Sequence, residues 1–164
     1  MDTFQISLTL ATLLCSLVAG FVFAFAVVAM PGIGTLDDRE FLRAFQVMDG
    51  MIQQNQPLFM LVWVGSVVTL GLSAGLGFRE LTGLEHALLI AAVVVYLLGV
   101  QLPTAAVNIP LNNQLQSLDI ATLDDEALVA ARRDFEDRWN RANTARTVLA
   151  CLAAGMLILL SLRL

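Results

Sequence analysis

The sequence contains no lysine, a single histidine and only two cysteines. One histidine, His86, cannot build a histidine-cluster metal site. Cys15 and Cys151 sit in separate apolar runs with no CxxC spacing, and both read as small buried hydrophobes. Charge is scarce too. Charged residues make up 14% of the chain, where a soluble domain has about a quarter. The net charge is −5, and no basic patch stands clear of acidic neighbours. Nucleic acid is therefore not an expected partner.

What is present is apolar. The chain of 164 residues is 58% hydrophobic, with a mean hydropathy of +0.78. That composition predicts an integral membrane protein with one domain over residues 1–164. A cleavable signal is not expected, because the first apolar run is too long and lacks a basic flank. Uncharged runs cover residues 6–30, 57–78, 87–107 and 147–162. About 20 helical residues cross ~30 Å of hydrocarbon. The first three runs qualify outright. The fourth has only 16 residues, so its span should draw in Asn143 and Arg146. The runs are too long for barrel strands and show no alternation, which leaves helices. The expected fold is all-α: four transmembrane helices in a bundle, an amphipathic helix between the first two, and a helical extension before the fourth. Gly71, Gly75, Gly77 and Gly155 are expected at close helix contacts. Pro103 is expected to kink the third span.

Four spans put both termini on one side, with the short RELTGLEH connection and His86, which reads as an interfacial residue. The opposite side carries two long connections. In residues 31–56, Phe41, Phe45, Met48 and Ile52 share one helical face. Residues 108–146 are expected to hold an irregular loop, then a helix entering the fourth span. GTLDDREF (34–41) and ATLDDEAL (121–128) echo each other, and both read as capped helix starts. A duplicated two-span unit would explain the echo, and so would plain capping.

The polar signals converge on the side of the long connections. The first span ends at Met30, the second starts just after Asn55, and the third ends in VNIPLNNQL with Asn108, Asn112 and Asn113. The fourth follows RDFEDRWNRANTART, where Phe135, Trp139, Asn143 and Arg146 share a face. Arg133, Asp137 and Arg141 line another face and are expected to pair at i,i+4, as are Asp134 and Arg138. Arg146 has no acid within four residues. In a span it must snorkel, pair or face a polar cavity. An inward role would place it beside Asn108, Asn112 or Asn143, amides that supply donors and acceptors without the desolvation cost of charge. The bland alternative is that the amides only cap the third helix.

FAFAVVAMPGI, MIQQNQPLF, VNIPLNNQL and RWNRANTARTVLACLAA, in that order, together resemble the anthrone oxygenase-like integral membrane proteins, formerly a domain-of-unknown-function family. The resemblance implies a four-helix membrane protein. It also implies oxidation of anthrones to anthraquinones by dioxygen, without metal or flavin, so no cofactor is expected. Most bacterial members have no established activity. The chain departs from the commoner family pattern at Asp49, where Asn is more usual, and in the spacing of Asn55 to Pro57. Such chemistry needs an apolar slot, oxyanion donors and a proton acceptor. Arg146, Asn108 and Asn143 are the candidate catalytic donors. Trp139, Phe135, Asn112, Asn55 and Met30 are the candidate substrate-binding residues. No convincing base is legible; Asp49 lies on the correct side but reads equally as a solvated carboxylate.

Two other classes stay open: a binding or transport protein for small hydrophobic compounds, and a structural or assembly subunit. The spans hold almost no ionisable residues, which disfavours an ion-coupled transporter. Expected partners are membrane lipid and a small hydrophobic molecule, and a homo-oligomer stays open. Arg39, Arg43, Arg132, Arg133, Arg138, Arg141 and Arg146 lie on the side of the long connections, against Arg79 and Arg163 opposite. The positive-inside rule then places those connections in the cytoplasm, in a bacterial cell membrane.

Overall fold

The computed structural model describes residues 2–164. They form helices joined by short connections, with no strand among the described residues. Four helices are long and apolar enough to cross a membrane: α1 (Thr3–Ile33), α3 (Pro57–Glu80), α4 (Gly83–Gln116) and α5 (Asp125–Arg163). Between the first two lies α2 (Asp38–Gln53). The chain is an all-α polytopic membrane protein. α1 packs along α3 and α5, and α5 along α4, while α3 and α4 meet over a shorter stretch.

The bundle is apolar outside and carries hydroxyls inside. Leu13, Leu72, Leu98 and Val148 are all at least half exposed, as a lipid-facing surface requires. Inside, Ser7 Oγ lies 2.9 Å from Ser73 Oγ, and Ser66 Oγ lies 2.6 Å from the Tyr96 hydroxyl. These bonds tie α1 to α3 and α3 to α4, where hydrocarbon would leave the hydroxyls unpaired.

The four prolines explain the irregularities of the helices. Pro57 opens α3, where a missing N–H costs nothing. The other three each follow a π-helical turn by two residues: Phe25–Ala29 before Pro31, Leu97–Gln101 before Pro103, Thr104–Asn108 before Pro110. Proline inside a helix removes a donor, and its ring collides with the carbonyl four residues back. A wider turn just before it relieves both conflicts and lets the helix continue. The third span therefore does not end at residue 107. VNIPLNNQL is helical, and α4 runs on to Gln116. The expected long irregular loop shrinks to the residues between Gln116 and Asp125.

The two TLDD stretches do start helices. Asp37 accepts the Glu40 N–H at 2.8 Å, and Asp124 accepts the Ala127 N–H at 2.9 Å. Each loop is held by an arginine from the other half of the chain. Arg39 donates to the carbonyls of Ile120 and Leu123 at 2.5 and 2.8 Å. Arg132 donates to those of Gly34 and Leu36 at 2.8 and 2.9 Å.

Several expectations need correction. Of the expected contact glycines only Gly77 is tight; a Cβ there would lie 2.6 Å from Leu89 Cδ2, whereas Gly71, Gly75 and Gly155 have nothing within 4 Å. Gly99 is as tight as Gly77: a Cβ built on it would lie 2.6 Å from Leu149 Cδ1 and 3.0 Å from Leu149 Cβ. Gly99→Ala should therefore lower the melting temperature in detergent, overpacking costing about 1–3 kcal/mol, while Gly75→Ala should not. Equal melting temperatures would mean that Leu149 moves aside freely. Cys15 is buried, but Cys151 is exposed on the lipid-facing side of α5. The expected i,i+4 ladder of Arg133, Asp137 and Arg141 is not formed, nor is Asp134 with Arg138. Arg133 instead meets Asp134 at 3.5 Å. Arg132 pairs with Glu136 at 2.7 Å and with Asp38 at 3.0 Å, because it faces the loop of the other half, and Arg163 pairs with Glu85 at 2.9 Å.

Candidate functional site

Five helices converge on a cavity of about 100 Å³ at the end of the bundle that carries α2. Its walls are mostly aromatic: Phe21 and Phe25 of α1, Phe45 of α2, Phe59 and Trp63 of α3, and Trp139 of α5. Phe59 and Trp63 stack with centroids 5.3 Å apart, and Phe45 meets Trp139 edge-on at 5.3 Å. Ile109, 46% exposed, marks its open rim. That rim lies toward the loosely closed seam between α3 and α4.

The polar groups of the cavity are few. Arg146 is only 5% exposed. Its Nε donates to Asn143 Oδ1 and its Nη1 to Thr104 Oγ1, both at 3.1 Å. Its guanidinium carbon lies 5.4 Å from the Trp139 ring centre. It takes part in none of the ion pairs among the described residues. Asn143 in turn donates to the Val22 carbonyl at 3.2 Å, which also accepts from Thr147. The guanidinium is thus braced by neutral groups, with no carboxylate within ion-pair distance.

Asp49 lines the same cavity and is 3% exposed, so it is not the solvated carboxylate that the sequence left open. Its Oδ1 accepts from Asn112 Nδ2 at 2.7 Å. Its Oδ2 accepts from Gln116 Nε2 at 2.9 Å and Gln53 Nε2 at 3.3 Å. Asn112 Oδ1 accepts from Trp139 Nε1 at 2.8 Å. One amide therefore fixes both the indole and the carboxylate. Two buried side-chain atoms among the described residues lack a partner, Asn108 Oδ1 and Gln101 Nε2. Asn108 lines the cavity, and Gln101 accepts the Trp63 indole N–H at 3.0 Å. The loose ends of the polar network thus gather around one space.

Residues 49–156, well over half of the chain, match the family model of anthrone oxygenase. The chain belongs to the anthrone oxygenase family. No curated protein and no solved structure matches it. Every polar side chain of the cavity lies within the stretch matched to the anthrone oxygenase model, while Phe21, Phe25 and Phe45 precede it.

Of the residues singled out from the sequence, Arg146, Asn108, Asn112 and Trp139 meet at the cavity wall. Asn143 stands behind Arg146 and orients it. Phe135 stands behind Trp139, stacked on it at 6.3 Å and against Phe45 at 4.5 Å. Met30 is buried in the same cluster as Phe41 and Phe45 but does not line the cavity. Asn55 is exposed, with φ +57°, and ends α2 in the left-handed conformation that Asn tolerates. Sequence reasoning missed Thr104 and the burial of Asp49. Asp49 had a signal, since it continues the spacing of four set by Phe41 and Phe45. A carboxylate on an apolar stripe is the anomaly to notice.

Proposed function

We propose that the cavity oxidises a flat, apolar aromatic ketone of the anthrone kind with dioxygen, at one face of the membrane. The observation that carries this reading is Arg146: a buried guanidinium with no carboxylate partner at the end of an aromatic slot. Burying an unpaired charge is costly, and a ligand that develops negative charge offsets that cost. An anthrone does so. Loss of a proton from the carbon between its rings turns the ketone into an electron-rich oxyanion that can react with dioxygen directly. Arg146 holds that oxyanion. Trp139 and Phe59 flank the rings, and the unpartnered Asn108 Oδ1 accepts a hydroxyl from the substrate. Substrate dissolved in lipid enters at the rim, between α3 and α4.

Other classes have less support. The cavity occupies one end of the bundle, which favours a site over a transport path. Val47 and Met51 are exposed on α2, as an assembly subunit would need. Two side chains make a small patch, however, beside the roughly 800 Å² per partner of a stable interface. The excess of arginines at this end of the bundle supports a cytoplasmic side for it.

The test is oxygen uptake by the purified protein in detergent with a simple anthrone. A heat-treated sample runs beside it, because anthrones autoxidise. Uptake above that control is expected. Equal rates, with anthrone still bound, would leave a binding protein and overturn the oxygenase reading.

A further inference from the structure

We infer that Asp49 is the catalytic base of this cavity, a role that rests on the oxygenase reading above. The inference stands on placement. Asp49 and Arg146 line the same cavity, yet they are not paired with each other. Opposite charges sharing a small buried space would normally close into a salt bridge. Here each is held back by its own neutral brace: Asn143 and Thr104 for the guanidinium, Asn112, Gln116 and Gln53 for the carboxylate. The arrangement keeps an acceptor of protons and a holder of negative charge apart, with Trp139 between the two networks: its N–H on the Asn112 that holds Asp49, its ring against Arg146. An aromatic ketone with an acidic C–H at the far side of its central ring requires that separation.

The hydrogen-bond inventory leaves Asp49 a site for the proton. Each carboxylate oxygen has two acceptor positions. Oδ2 receives both glutamines, whereas Oδ1 receives only Asn112, so one position on Oδ1 stays open. The donors are all neutral amides, and they fix the orientation of the carboxylate.

The step balances as follows. The C–H bond between the rings breaks, and its proton passes to Asp49 Oδ1. The electron pair moves into the ring system and leaves the ketone oxygen as an oxyanion at Arg146. Dioxygen adds at the same carbon, and Asp49 returns the proton to give a hydroperoxide. Asp49 then removes the second hydrogen of that carbon as the O–O bond breaks. A second ketone forms and hydroxide leaves, taking the proton as water. One ketone and one dioxygen become one quinone and one water, and Asp49 ends as it began.

Proton removal can be read without oxidation. The purified protein is mixed anaerobically with anthrone in deuterated buffer, and deuterium entering the carbon between the rings is followed by NMR. Wild type is expected to exchange faster than protein-free buffer. Asp49→Asn should fall about 100-fold or more toward the buffer rate, the usual contribution of a positioned base. The substitution keeps the size of the side chain, and the new Oδ1 still accepts from Asn112, which stays committed to the Trp139 indole. Asp49→Ser is the second variant if Asn does not fold, with the same fall expected. Exchange at the wild-type rate in either folded variant would overturn the role of Asp49. Wild type that consumes oxygen but does not exchange above buffer would overturn it too, and would leave the oxygenase reading standing. Wild type that neither exchanges nor consumes oxygen would overturn both.

Discussion

Replacing Arg146 by Met is expected to slow anthrone oxidation by about 100- to 1,000-fold, the range seen when one oxyanion donor is removed, while changing stability little. The two halves of that result come from the same observation. Arg146 is buried without an acidic partner, so its charge opposes folding by several kcal/mol, roughly. Its bonds to Asn143 and Thr104 return about 1.5–3 kcal/mol each, as hydrogen bonds to a charged group do. These contributions nearly cancel, and an apolar side chain of similar length loses both. Its effect on the reaction has no such compensation, because Met offers nothing to an oxyanion. Arg146→Lys keeps the charge but not the planar fork that reaches Asn143, Thr104 and the cavity together, and it should recover only part of the rate. Arg141→Ala, exposed on the same helix, is the control and should behave as wild type. Rates of oxygen uptake and melting temperatures in one detergent check both halves. Full activity in Arg146→Lys would reduce the residue to a point charge. A large fall in stability with unchanged activity would make it structural.

The spans were legible because membrane helices obey a coarse rule of length and polarity. The short fourth run showed that Arg146 and Asn143 belonged inside the span, and both are buried. The shared face of Trp139, Asn143 and Arg146 followed from helical spacing alone. The end of the apolar run misled the reading. It puts the end of the third span at residue 107, yet the π turn before Pro110 carries α4 to Gln116. Consequently Asn112 and Gln116 sit one turn apart on a regular helix and both reach Asp49. Glycines misled it as well, since a run of Gly in α3 says nothing about which of them faces a neighbour. Partners from distant segments were out of reach. Nothing in a local pattern says that Asp49 meets Asn112, or that Phe21 and Phe25 cover a slot whose polar end is made by α4 and α5. Those pairings are set by how the helices pack.

The second large effect is expected away from the cavity. Arg132→Ala should lower stability by about 2–4 kcal/mol, the scale for removing one partner of a half-buried charged network. It should also reduce activity, although Arg132 does not line the cavity. Arg132 holds the carbonyls of Gly34 and Leu36, the carboxylates of Asp38 and Glu136, and the face of Phe41 at 4.4 Å. Without it those two carboxylates are left close together and unneutralised. The loop they border leads into α2, and α2 carries Phe45, Asp49 and Ile52 to the cavity. α2 docks on α4 and α5 through Phe45, Gln46 and Asp49, and Arg132 adds the anchor at its N-terminal end. Arg39, which clasps the opposite loop through two carbonyls and no acid, should matter less. Arg39→Ala is therefore expected to cost less stability than Arg132→Ala. Proteolysis within residues 34–38, negligible in the wild type, should rise in Arg132→Ala together with the loss of oxygen uptake. Lost uptake without new cleavage would mean that α2 stays docked, and that Arg132 acts on the cavity by some route other than holding that helix.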